Sequence, residues 1–258
     1  MNTVISKDGT AIAYTQKGQG APLILVDGAM CYRAFGPMEP LSNLLAKDFT
    51  VYFYDRRGRG ESGDTVPYAV QREVEDIEAL IQQAGGSAFV YGTSSGAALA
   101  LEAAASGLNI KKLALYEPPF NDATTQANVA YTTKLKQALA AGNRGDAVVH
   151  FMTYVGTPPE AIDGMRQAPM WPMFEAVAPT LAYDAAVLGD ASVPVARAAT
   201  ITIPTLIMTG GATFPFMHES AQAIHEAIPG SQRRILEGQT HDAAADVVAP
   251  ALLEFFNS

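Results

Sequence analysis

Short apolar runs rich in β-formers alternate along this chain with stretches of helical periodicity, and that alternation limits what it can fold into. The runs are Leu23–Val26, Thr50–Tyr54, Ala88–Tyr91, Leu113–Tyr116, Thr205–Met208 and the weaker Arg233–Leu236. A strand that is apolar throughout has no face for water, so it suits a parallel sheet covered on both sides. Between the runs, Gln71–Gln83 sets Val74, Ile77, Leu80 and Ile81 on one helical face. Ala97–Ala105 is small and helix-favouring, and His218–Ala227 and Ala244–Phe256 are amphipathic. At the start, Thr3–Ser6 and Ala11–Thr15 flank Asp8-Gly9, a turn dipeptide that reads as a hairpin. Strand alternating with helix predicts an open, mostly parallel α/β sheet flanked by helices, with right-handed crossovers.

The alternation fails between Asn121 and Val195. That stretch holds no convincing strand and reads as helices: Val129–Ala141, Asp146–Tyr154, Pro159–Arg166 and Phe174–Leu188. The expected organisation is a core of residues 1–120 and 196–258 with a helical insertion, 121–195, over the ligand end of the sheet. A chain of 258 residues suits one large domain of this kind. Its net charge of −9, with no Lys/Arg-rich stripe, argues against nucleic acid as a partner. The single cysteine, Cys31, allows no intramolecular disulfide. Residues 1–18 lack the apolar stretch of a signal peptide, and no window has the length of a membrane span. The expectation is a soluble cytoplasmic protein with no membrane partner.

Gly92-Thr93-Ser94-Ser95-Gly96 fits G-x-S-x-G, with the strand Ala88–Tyr91 before it and the helix Ala97–Ala105 after it. A nucleophilic serine on a strained strand-to-helix turn needs such neighbours, because side chains at the flanking positions would collide. The helix N-terminus beneath it favours developing negative charge. Gly60-Glu61-Ser62-Gly63 does not complete the pattern, since residue 64 is Asp. A serine hydroxyl is a poor nucleophile until a base takes its proton. Of the four histidines, His150, His218 and His225 lie in helical patterns. His241 follows the last apolar run in a loop, after the serine in chain order, and is the candidate base.

These residues carry a resemblance. Leu25-Val26-Asp27-Gly28, the run Tyr54-Asp55-Arg56-Arg57-Gly58-Arg59-Gly60-Glu61-Ser62-Gly63, the Ser94 motif and Glu237-Gly238-Gln239-Thr240-His241 resemble the α/β-hydrolase fold superfamily, in its serine-nucleophile branch. The resemblance covers nearly the whole chain and implies that residues 121–195 are the family's helical cap. It makes Asp55, Arg56, Arg57 and Arg59 structural rather than catalytic. It implies an oxyanion hole of backbone N–H groups from Gly28 or Ala29 together with Ser95. Many members have His-Gly where this chain has Asp27-Gly28, so Asp27 is expected to turn away or to bond backbone groups. Many also carry an acid after the strand matching Thr205–Met208, but Thr209–Pro215 contains no carboxylate. The other family position for the acid is the end of the strand after the nucleophile, here Glu117 in Tyr116-Glu117-Pro118-Pro119. The layout is similar to the microbial lactone hydrolases that open zearalenone, and the acid's role passes to Glu117 on that likeness. Asp242 and Asp246 are weaker alternatives.

The resemblance implies hydrolysis of an ester or lactone of a small, partly apolar substrate through an acyl-enzyme. No metal or cofactor is expected. Such enzymes are commonly homodimers. Met30, Met170, Trp171, Met173, Phe174, Phe214 and Phe216 are the expected substrate contacts. Carbon–carbon bond hydrolases and perhydrolases use the same triad, and some members bind small ligands as receptors with little turnover. Those alternatives stay open at the level of sequence.

Overall fold

A computed structural model describes residues 2–122 and 125–258; positions 123 and 124 of the expected insertion lie outside the described residues. The hairpin forms as β1 (Asn2–Ile5) and β2 (Ala11–Lys17), pairing Asn2 with Tyr14 and Ile5 with Ala11. Each apolar run lies inside a strand: β3 (Ala21–Val26), β4 (Phe49–Tyr54), β5 (Ala88–Thr93), β6 (Ile110–Tyr116), β7 (Thr205–Gly210) and β8 (Gln232–Leu236). They form one eight-stranded sheet in the order β1-β2-β4-β3-β5-β6-β7-β8. β2 is antiparallel to both its neighbours, and every pairing from β4 to β8 is parallel.

Side chains alternate between the two faces of the sheet. Ile24, Val26, Val90 and Leu115 pack on one face against α2 (Val70–Gln83) and α3 (Ser95–Ala105). Leu23, Leu25, Tyr91 and Tyr116 pack on the other, where α1 (Met38–Leu45) contributes Leu41 and Leu45. Little in the sequence marks α1, because Pro40 falls inside it. Proline is tolerated there because the first-turn N–H groups have no helical acceptor to lose.

Between β6 and β7 run α4 (Thr125–Ala140), α5 (Arg144–Tyr154), α6 (Pro159–Arg166), α7 (Trp171–Val177), α8 (Leu181–Leu188) and α9 (Val195–Ala198). The single helix expected over Phe174–Leu188 is instead two, separated by a 3-10 turn at Ala178–Thr180. Pro179 removes a backbone donor at that point and breaks the α-helical ladder. Tyr131, Leu135, Val148, Phe174 and Leu181 give these helices an apolar core of their own. After β7, α10 (Pro215–Ala227) joins the α2/α3 face and α11 (Ala245–Asn257) the α1 face. Among the described residues, no helix is long and apolar enough to cross a membrane.

The strand order reverses beside β3. The chain leaves β3 for β4 on one side, then returns across it to β5 on the other. The helices that follow β3 and β5, α1 and α3, therefore lie on opposite faces of the sheet. The gap left between the carboxyl ends of these two strands is where α/β sheets bind ligands.

Candidate active site

Ser94 follows β5 directly, at that gap. Its backbone lies at φ 55° and ψ −130°, a conformation that a side chain rarely adopts. Two glycines make the turn possible by close approach. A Cβ on Gly92 would stand 2.4 Å from the carbonyl oxygen of Gly96, and one on Gly96 would stand 2.4 Å from those of Val26 and Asp27. The Ser94 N–H donates to Tyr116 O at 2.9 Å, and its carbonyl accepts from Ala97 N at 2.9 Å, opening α3.

His241 follows β8 and stands between a hydroxyl and a carboxylate. Its Nε2 lies 3.0 Å from Ser94 Oγ, and its Nδ1 lies 2.6 Å from Glu117 Oε2. The Tyr116 hydroxyl donates to Thr240 O and ties the histidine loop to the end of β6. Glu117, next along that strand, is fully buried and has φ 48°. Its Oε1 accepts from Gly210 N at 2.7 Å, and its Oε2 also accepts from Thr213 Oγ1 at 3.0 Å. The loop after β7, where many α/β-hydrolases carry the acid, here supplies donors to a carboxylate from the neighbouring strand. Asp242 and Asp246 are exposed, and Glu117 occupies the Nδ1 position they would need. The ring nitrogens of His218 and His225 are engaged locally, with Thr209 and Ser231.

Gly28 follows β3 and touches the serine: a Cβ there would lie 3.0 Å from Ser94 Cβ. Its N–H, however, donates to Asp27 Oδ1 at 3.0 Å, so that candidate for the oxyanion hole is already engaged. Ala29 and Ser95 both line the cavity beside Ser94. Asp27 therefore bonds a backbone group, as expected, but through one oxygen only. Its buried Oδ2 has no well-formed hydrogen bond and faces Gly36 and Cys31. Burial drives the Asp27 pKa up to about 7, against the Gly28 N–H and the charges of Arg59 and Arg56. Burial, with Asp27 beside it, also pushes the Cys31 thiol up.

A buried ion network backs the gap. Arg56 grips Glu73 of α2 with Nε and Nη2 at 2.7 and 2.8 Å, and reaches Asp184 of α8 with Nη1 at 2.7 Å. Arg59 binds both oxygens of Asp184, at 2.9 and 2.8 Å. Arg57 turns the other way, to Asp76 and Asp8. Burial opposes ionisation of Asp184, but Arg59, Arg56 and the Ser95 hydroxyl hold its carboxyl below the usual range. Sequence reasoning missed Asp184, because nothing local marks a helix aspartate as the partner of arginines more than a hundred positions earlier.

A cavity of about 760 Å³ opens on Ser94 and His241. Tyr131, Tyr154 and Leu188 of the insert line it, and so do Leu41, Tyr91 and Val248 from the side of the sheet that α1 and α11 cover. Phe214 and Phe216 line it. Met30, Trp171 and Phe174 are instead buried in the insert's own core, and Met173 is exposed; none of them, nor Met170, lines the cavity. Phe174 packs edge-on against Phe35, and Trp171 donates to Glu175 Oε1 at 2.9 Å. These side chains seat the insert on the loop after β3. Among the described residues, no three His, Cys, Asp or Glu side chains are grouped to hold a metal ion.

Residues 20–251 match the model of the Alpha/beta hydrolase family. The crystal structure of an alpha/beta hydrolase from Sphaerobacter thermophilus is 52% identical, covers 99% of this chain and 100% of its own, and superposes with a TM-score of 0.89. An enol-lactonase from Burkholderia xenovorans is 20% identical over 100% of both chains, with a TM-score of 0.74. A thermophilic esterase from Thermogutta terrifontis is 21% identical over 99% of this chain and 97% of its own, with a TM-score of 0.73. At that identity the last two share the fold.

Proposed function

The chain belongs to the alpha/beta hydrolase family, and we propose that within it this protein is a serine hydrolase of ester or lactone bonds. The reading rests on one observation: an unbroken line of hydrogen-bond distances from Ser94 Oγ through His241 to a fully buried, fully partnered Glu117.

Each group has a defined task. His241 Nε2 takes the Ser94 proton as Oγ attacks the carbonyl carbon. Glu117 holds Nδ1–H, which fixes the tautomer and stabilises the imidazolium. The oxygen that becomes negative is received by the N–H groups of Ala29 and Ser95, since Gly28 is committed to Asp27. His241 then protonates the leaving oxygen, the acyl group stays on Ser94, and water activated by the same imidazole releases it. The aromatic and aliphatic side chains among the cavity's lining, Tyr131, Tyr154, Leu188, Leu41, Phe214 and Val248, suit a partly apolar substrate. Esterase and enol-lactonase structures on the same fold are consistent with this range of substrates.

The test is hydrolysis of p-nitrophenyl esters and a lactone panel, with mass-spectrometric detection of a fluorophosphonate adduct on Ser94. Wild type turns over at least one class and is labelled. Ser94→Ala loses the label and about a thousandfold or more in kcat. A wild type that binds such molecules yet neither turns them over nor takes the label would overturn the reading.

A further inference from the structure

We infer that Arg59 and Asp184 are positioning residues for the oxyanion hole, so that a helix of the insert holds part of the catalytic backbone in place. The inference rests on the hydrolase reading above. It starts from the geometry of one peptide bond. In a trans peptide the carbonyl oxygen and the next residue's N–H point in opposite directions. Whatever fixes the Gly28 carbonyl therefore fixes the direction of the Ala29 N–H.

Arg59 fixes that carbonyl. Its Nη1 donates to Gly28 O at 2.5 Å and to Cys31 O at 3.1 Å. Its Nε donates to Thr180 Oγ1 at 3.0 Å, and its Nη2 to the two oxygens of Asp184. Every nitrogen of the guanidinium is thus engaged, and the side chain is buried. A fork held on all sides has no other rotamer to visit, so the Gly28–Ala29 peptide it grips cannot turn over.

Asp184 reaches the other half of the hole directly. Its Oδ1 accepts from Ser95 Oγ at 2.7 Å as well as from Arg56 and Arg59. The Ser95 N–H is held from its other end too, because the Ser94 carbonyl before it is bonded to Ala97 and Ala98 at the start of α3. One carboxylate on α8 therefore connects to both proposed donors, through Arg59 to Ala29 and through its own hydrogen bond to Ser95. Thr180, the other anchor of Arg59, lies in the turn just before α8. Ala185 and Leu188 of the same helix line the cavity. Substrate bound against α8 thus lies against the element that orients the catalytic N–H groups.

The experiment compares full-length wild type with Asp184→Asn, Arg59→Lys and Thr180→Val. It measures kcat and KM on the best ester, the Ki of a phenylboronic acid that forms a tetrahedral adduct on Ser94, and the melting temperature. Removal of one oxyanion donor costs about a hundredfold to a thousandfold in kcat. Misdirecting one, in Asp184→Asn or Arg59→Lys, should cost about tenfold to a hundredfold, with KM within about threefold and boronate Ki raised in parallel with the loss in kcat. Thr180→Val, which keeps both charges, shows a smaller loss of the same kind and serves if Asp184→Asn does not fold. Asp76→Asn strips a buried partner from Arg57 without touching the loop, and lowers the melting temperature while kcat holds. If Asp76→Asn lowers kcat as Asp184→Asn does, or boronate affinity is unchanged in a labelled, folded Asp184→Asn or Thr180→Val, the positioning role is wrong while the hydrolase reading survives. A wild type that Ser94-directed fluorophosphonate does not label removes both.

Discussion

Two buried carboxylates flank Ser94, one from each strand beside β5, and their treatment differs. Asp27 directly follows β3 and Glu117 directly follows β6, and both are almost wholly removed from water. Glu117 is met by a backbone N–H, a threonine hydroxyl and the imidazole. Asp27 is met by one N–H and by a poorly aligned Cys31 thiol, and its pKa rises to about 7. Two acids buried alike at strand ends thus differ in how many donors are aimed at them.

The sharpest test of that contrast is Glu117→Gln. It keeps the shape and removes the carboxylate proposed to hold the imidazolium. The expected loss is about a thousandfold or more in kcat with little change in KM. If Glu117→Gln keeps more than about a tenth of wild-type kcat, the two acids are not different in kind.

Asp27→Asn should be far milder in kcat, within about tenfold, because Oδ1 can still accept from Gly28. Its larger effect is on the pH dependence of stability. A carboxyl that titrates at 3.8 when free and at about 7 in the fold binds more protons folded than unfolded between those values. Its contribution is therefore fully favourable below about pH 4 and is lost as pH rises through about 7. The melting temperature of Asp27→Asn relative to wild type should climb from about pH 5 to about pH 8.5, by the equivalent of a few kcal/mol. A difference that stays flat across that range would show that Asp27 is charged throughout.

A much smaller loss in kcat than that of Glu117→Gln is expected of Thr213→Val. It removes one of the donors to Glu117 and leaves Gly210 and His241 in place. One hydrogen bond to a charged group is worth about 1.5–3 kcal/mol, and partial compensation by the others should hold the loss in kcat to about tenfold. A loss as large as that of Glu117→Gln would make the threonine hydroxyl, rather than the charge, the decisive element.

Much of this architecture was legible in the residues. Apolar runs marked the strands from β3 to β8, and the glycines around Ser94 marked a turn that tolerates no side chains there. Loop position and chain order after Ser94 pointed to His241, and the family resemblance pointed to Glu117 at the end of the strand after the nucleophile. What stayed hidden depends on packing between distant segments. Trp171, Phe174 and Met30 are apolar in sequence whether they face a ligand or each other, and only the seating of the insert decides for its core. Pro40 and Pro179 hid one helix and split another. The contact of Arg59 with Asp184 spans 125 residues, with no local pattern to announce it. Asp27 stood out as unusual in the sequence, but its poor partnering shows only once Gly36 and Cys31 close around it.

The backbone around the site also bears on what selection can do with this protein. Met30, Ser94 and Glu117 all take positive φ without being glycine, at 65°, 55° and 48°. They lie at or just beyond the ends of three adjacent strands. Each such residue costs about 1–3 kcal/mol that glycine would largely recover. A library of variants ranked by heat resistance alone should therefore enrich glycine at positions 94 and 117, discarding the proposed nucleophile and acid because they are under strain. Screens for durable forms of this enzyme have to score turnover at every round, or they will converge on a sturdier and inert scaffold.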